Sequence, residues 1–155
     1  MFKTLQILCF MQEVLIAKLH QYMADNNPDL LITLQQESSV SDYLREKVAA
    51  IDFLLNELLA SGTPAYIIEE RCMDELTKEL HPSKFNYLIS ILEEEFETDY
   101  YRLKESGLVT YEVINLIDIC LPVFDALSFT GENENDRRLR YAITGAVKEY
   151  FENKR

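Results

Sequence analysis

Apolar residues along this chain recur at helical rather than strand spacing. In the first segment Leu8, Met11, Leu15, Leu19 and Tyr22 form one series. Ile7, Phe10 and Val14 widen it, which predicts a helix covered on more than one side. Asn26, Asn27 and Pro28 end that helix and open a short one reaching about Gln36, with Asn27 as cap and Pro28 in the first turn. Leu44, Val48, Ile51, Leu55 and Leu58 then mark a core-facing seam on one long helix, stopped by Gly62. Thr63 and Pro64 form a cap and first-turn pair for the next helix, which carries Ile68, Cys72, Leu76 and Leu80 on one face.

His81-Pro82 breaks the pattern, and Ser83 is placed to cap the helix that follows. Phe85, Leu88, Ile89, Leu92 and Phe96 share one face of it, while Glu93, Glu94, Glu95 and Glu97 fall on the other. Ser106-Gly107 is the next stop. From Tyr111 to Phe129 the chain is apolar nearly all round, with Asn115, Asp118, Asp125 and Ser128 as a narrow polar stripe, so this should be the central helix. Pro122 inside it removes a backbone donor and predicts a kink or break at Cys120 to Leu121. Gly131 to Asn135 is a polar loop, and Asp136 to Lys154 is a last helix with Leu139, Ile143, Val147, Tyr150 and Phe151 facing inward.

The pattern predicts an all-α, single-domain multihelical bundle of six or seven helices over residues 1–155, folded around residues 111–129. A division into two subdomains would fall near Ser106. Length and composition agree. A chain of 155 residues buries roughly 70% of its unfolded surface, and four Gly and four Pro are too few for the turns of an all-β fold.

Charge narrows the function classes. The formal net charge is −12, from 27 acidic and 15 basic side chains. Such a surface repels phosphate backbones, which argues against direct nucleic-acid binding. Arg137, Arg138, Arg140, Lys148, Lys154 and Arg155 make the last helix the exception, and Arg137, Arg138 and Arg140 are the only candidate nucleic-acid contacts. The acidic run Glu93, Glu94, Glu95, Glu97 and Asp99 is the candidate surface for a basic partner, against the plainer reading of a solvated face. The first segment is interrupted by Gln6, Gln12 and Glu13, which excludes a membrane span, disfavours a signal peptide and points to a cytoplasmic chain.

Candidate chemistry is sparse. Cys9, Cys72 and Cys120 lie far apart among apolar neighbours and read as small buried hydrophobes. A carboxylate-bridged metal site needs Glu three positions before His, but His20 and His81 are preceded there by Ala17 and Lys78. Cys72 and His81 point to opposite faces of a continuous helix, and Cys9 and His20 lie about 16 Å apart at about 1.5 Å per residue. No Gly-rich phosphate loop is present. No catalytic residue, cofactor or metal is therefore assigned. An enzyme using scattered carboxylates would have to draw on Asn115, Asp118 and Asp125, whose plainer role is a solvent seam. Among the aromatic residues, Tyr87, Tyr100 and Tyr101 are the candidates for exposure.

The stretch Leu80-His81-Pro82-Ser83-Lys84-Phe85-Asn86-Tyr87, continuing through Ile91-Leu92-Glu93 to Glu95-Phe96, resembles a domain-of-unknown-function family of small helical Bacteroidetes proteins. Leu19, Tyr22, Asn27, Pro28 and Asp29 are similar to that family's opening helix and turn. The resemblance spans roughly residues 10–100, leaving residues 101–155 as an extension. Members are often encoded on conjugative elements, which implies a mobile-element accessory factor that could contact DNA through Arg137, Arg138 and Arg140. It supplies no catalytic residues. The apolar stripes from Leu5 to Leu19 and from Tyr111 to Phe129 are wider than one core contact needs. They favour a non-catalytic protein-interaction or accessory module, with a protein partner or self-association.

Overall fold

The computed structural model describes residues 2–154. Among them the regular structure is all helical, with nine α-helices and a short 3-10 turn. The order is α1 (Phe2–Asn26), α2 (Pro28–Gln36), α3 (Val40–Ala50), α4 (Asp52–Ala60), α5 (Ala65–Thr77), the turn Lys78–Leu80, α6 (Lys84–Glu95), α7 (Glu97–Ser106), α8 (Val109–Ala126) and α9 (Arg137–Lys154).

Nine helices replace the expected six or seven because two continuous apolar patterns are broken without Gly or Pro. The seam from Leu44 to Leu58 parts at Ile51, whose φ of −106° and ψ of 15° leave the helical region. Gln12 donates to Asp52 at the start of α4, at 2.8 Å. The run after Ser83 parts at Phe96, with φ −134° and ψ 48°. Glu97 and Asp99 then fall in the first turn of α7, where the positive end of the helix dipole favours them.

Other helix ends follow their local chemistry. Gly62 and Gly107 hold the positive φ values, 68° and 72°, that end α4 and α7. Ser83 caps α6 by accepting from the Asn86 backbone N–H at 3.0 Å, and its hydroxyl donates to the Asn26 carbonyl. Thr63 is not the cap of α5: Pro64 takes that position at φ −58° and ψ 145°, and the helix starts one residue later. The break expected as one outcome at Pro122 does not occur, since α8 continues through it to Ala126. Pro122 and Asp118 both lie on the exposed face, so the carbonyl that loses its N–H partner there faces solvent.

The described chain resolves into two compact units, each with its own apolar core. The first comprises residues up to Asp25 with Leu30–Leu80, and Leu15, Leu19, Met23, Leu55, Ile68 and Cys72 are essentially inaccessible in it. The second comprises Asn26–Asp29 with the residues from His81 on. There α8 packs against α6, α7 and α9, burying Val113, Leu116, Cys120 and Phe124. Leu139, Ile143, Val147 and Phe151 of α9 are buried as expected. The helix read as central thus organises the second unit, and the units divide at Leu80/His81 rather than near Ser106.

Candidate functional site

The break at Phe96 reshapes the acidic run. Glu93, Glu94 and Glu95 occupy the last turn of α6, the unfavourable end of its dipole, and their charge is offset by neighbours. Arg140 of α9 donates to Glu94 Oε2 at 2.6 Å and to Glu95 Oε1 at 3.1 Å. These bonds, the Glu95 one foremost, push the Arg140 guanidinium above its ordinary range. Glu93 accepts from the Tyr100 hydroxyl, whose pKa is raised by burial first and by that bond second. Asp99 is buried, with Arg102 donating to it at 2.9 Å. Of the acidic run expected to be left to solvent or a partner, four residues are exposed and one is buried. Glu93, Glu94, Glu95 and Glu97 are exposed but the first three are engaged within the unit, and Asp99 is not at the surface.

The arginine trio is divided by the same contact. Arg137 and Arg138 are exposed at the start of α9, where the Arg138 N–H is capped by Asp136 Oδ1 at 2.7 Å. Arg140 is partly buried, and its Nη2 donates to both the Glu94 and the Glu95 carboxylate. A phosphate group reaching that nitrogen would have to compete with both carboxylates.

Beside this cluster an open groove of about 370 Å³ runs between α9 and the α6–α7 junction, lined by Glu95, Phe96, Asp99, Thr144, Lys148 and Phe151 among others. The Phe96 and Phe151 rings, 5.6 Å apart, lie along it. Its charges are mixed in sign. In the polar stripe of α8, Asp118 and Asp125 are exposed and Asn115 is half-buried.

Among the described residues of the second unit, the only buried carboxylate besides Asp99 is Glu112. Nothing in the spacing of the chain singles it out. Lys154, in the last turn of α9, donates to it at 2.6 Å and stands 5.0 Å from the centre of the Tyr150 ring. The bond to Glu112 holds the Lys154 ammonium above its usual value of 10.5. A lysine whose folded pKa is raised stabilises the fold below its unfolded pKa and loses that contribution as pH climbs through the folded value. Unfolding midpoints of the second unit should therefore lose this pair's contribution only above about pH 10.5, whereas Lys154→Met should already show that loss at neutral pH. An equal fall in both proteins between about pH 10 and 12 would show that the pair contributes nothing.

Thiol chemistry is suppressed where the thiols are buried. Burial in the apolar core pushes Cys120 up to about 11, leaving it protonated at neutral pH. Burial also raises Cys72, opposed by Arg71. Cys9 is exposed, correcting the expectation that all three are core residues. Tyr87 is corrected in the other direction: it is buried against Phe124 and Phe129, and of the three candidates only Tyr101 is exposed.

Among the described residues no three His, Cys, Asp or Glu side chains are grouped to hold a metal ion. No described helix is long and apolar enough to cross a membrane. No protein-family profile, curated protein or solved structure matches the chain.

The least expected feature is apolar exposure. Leu5, Ile7 and Phe10 of α1 are 55%, 50% and 67% exposed, so the N-terminal half of that helix is not covered on more than one side as its pattern suggests. Tyr111 and Ile119 of α8 are likewise open.

Proposed function

We propose that the chain is a non-catalytic protein-interaction or accessory module of the cytoplasm that works by docking. The observation carrying this reading is the set of large apolar side chains held outward on ordered helices, above all Ile7 and Phe10 on α1. Exposed apolar side chains that cluster on one face favour association, because burying each is worth roughly 1.5–3 kcal/mol. The acidic cluster contributes less, since Glu94, Glu95 and Asp99 already have partners within the unit. A DNA-contacting accessory role would fall to Arg137 and Arg138, a weaker basis once Arg140 is held by Glu94 and Glu95.

Affinity capture from the native cell tests the reading. Wild-type chain should retain a stoichiometric protein, which can be a second copy of itself. Phe10→Glu or Tyr111→Glu should lose it while keeping the wild-type circular dichroism. Retention of nothing, with a monomeric mass throughout, would remove the docking reading.

A further inference from the structure

The outward face of α1 has a register of its own. Lys3, Ile7, Phe10, Val14, Ala17 and Gln21 follow one another by alternating steps of four and three, the spacing of a coiled-coil seam. At about 100° per residue this seam is centred about 120° round the helix from the line of Met11, Leu15 and Leu19, which faces the core of the first unit. Lys3, Ile7, Phe10, Ala17 and Gln21 are exposed and Val14 is half-buried. Ion pairs line its two margins: Glu13 with Arg45 of α3 at 3.1 Å, and Lys18 with Glu69 of α5 at 2.8 Å. The margins are thus occupied and charged, while the strip between them is apolar for about 15 Å at 1.5 Å per residue.

We propose that this seam is a self-association surface on which a second copy of the chain docks through its own α1, running antiparallel. The inference rests on the docking reading and names its partner. Charge complementarity selects the occupant. A chain of net charge −12 repels its copies almost everywhere, but α1 is balanced, with Lys3 and Lys18 against Glu13 and Asp25. Glu13 and Lys18 are already paired within the unit. Lys3 and Asp25 remain at opposite ends of the seam, with Asp25 accepting from Gln21 at 3.1 Å.

An antiparallel pair brings Lys3 of each copy toward Gln21 and Asp25 of the partner subunit, twice by symmetry. A parallel pair would set Lys3 on Lys3 and Asp25 on Asp25. Side-chain sizes agree with the antiparallel arrangement. Centred between Phe10 and Val14, it places Phe10 beside Val14 of the partner subunit and Ile7 beside Ala17 of the partner subunit, a large group opposite a smaller one in each layer.

Sedimentation equilibrium of the full chain should show a monomer–dimer equilibrium of roughly micromolar affinity, weakened about tenfold or more by Phe10→Glu without change in circular dichroism or melting. Orientation is read by mild oxidation in a Cys9→Ser background. Chains carrying Phe10→Cys, mixed with chains carrying Val14→Cys, should cross-link to each other faster than either does to itself. A monomer at all concentrations, a dimer indifferent to Phe10→Glu, or faster self-linking of Val14→Cys would each overturn the proposal. If the chain is monomeric and Phe10→Glu instead abolishes flotation on phosphatidylglycerol vesicles, the seam belongs to a lipid surface. If it is monomeric and Phe10→Glu abolishes capture of an unrelated protein, the docking reading survives and the self-association proposal fails.

Discussion

A chain ending at Asn135 should lose the tertiary structure of its second unit and not merely the signal of one helix. Removing α9 takes away Leu139, Ile143, Val147 and Phe151, all nearly or fully buried, and uncovers the faces of α6 and α8 against which that helix packs. At roughly 1.5–3 kcal/mol for each side chain removed from water, the loss is about 6–12 kcal/mol. That is comparable with the whole stability of an ordinary domain, about 5–15 kcal/mol. The ion pairs to Glu94, Glu95 and Glu112 are half-exposed on at least one side, and each adds only about 0–1 kcal/mol. Burial therefore decides the docking of α9, and high salt should hardly shift the intact chain. Far-UV circular dichroism and thermal melting of the truncated chain provide the check. Loss of no more helix than α9 itself contains, with an unchanged melting temperature, would contradict this account.

Phe124→Ala should be the most damaging single substitution in the second unit, costing about 3–5 kcal/mol. The side chain is 1% exposed, near the end of α8. Its ring lies 5.8 Å from that of Tyr87 and 4.8 Å from that of Phe129, so truncation breaks an aromatic cluster as well as leaving a cavity. That cluster also ties the chain leaving α8 back to α6. Within the following loop, Asn133 donates to the Leu127 and Ser128 carbonyls at 2.7 and 3.0 Å. Phe53→Ala is the matched control: Phe53 is 82% exposed, and its loss should fall within about 0.5 kcal/mol. Urea midpoints of the two variants would settle the comparison, and equal midpoints would refute it.

The local rules of the chain are legible in its residue order. Spacing places the inward faces of α6 and α9, Gly62 and Gly107 mark helix ends by their tolerance of positive φ, and Ser83 declares itself as a cap. These features depend on a few neighbouring residues, so a linear reading reaches them. The breaks at Ile51 and Phe96 carry no such mark. Both residues continue an apolar series, and only their non-helical dihedrals show that the helix stops there. Likewise the all-round apolar pattern of α8 does not show which of two cores it joins, or that Tyr111 and Ile119 stay open.

Charge is where linear reading falls furthest short. Glu93 to Asp99 form one acidic block along the chain, but the turn at Phe96 sends Asp99 inward to Arg102 and leaves Glu94 and Glu95 facing Arg140, 45 or more residues away. Glu112 is an ordinary first-turn acid until α9 folds back to bring Lys154 to it. By itself the sequence determined that the chain is helical, where its apolar stripes lie and that Ile7, Phe10 and Val14 exceed the needs of one core. Only the tertiary structure decided which stripe is buried and which charges are paired, because burial and ion pairing are set by distances between segments, and those distances do not exist until the helices have packed.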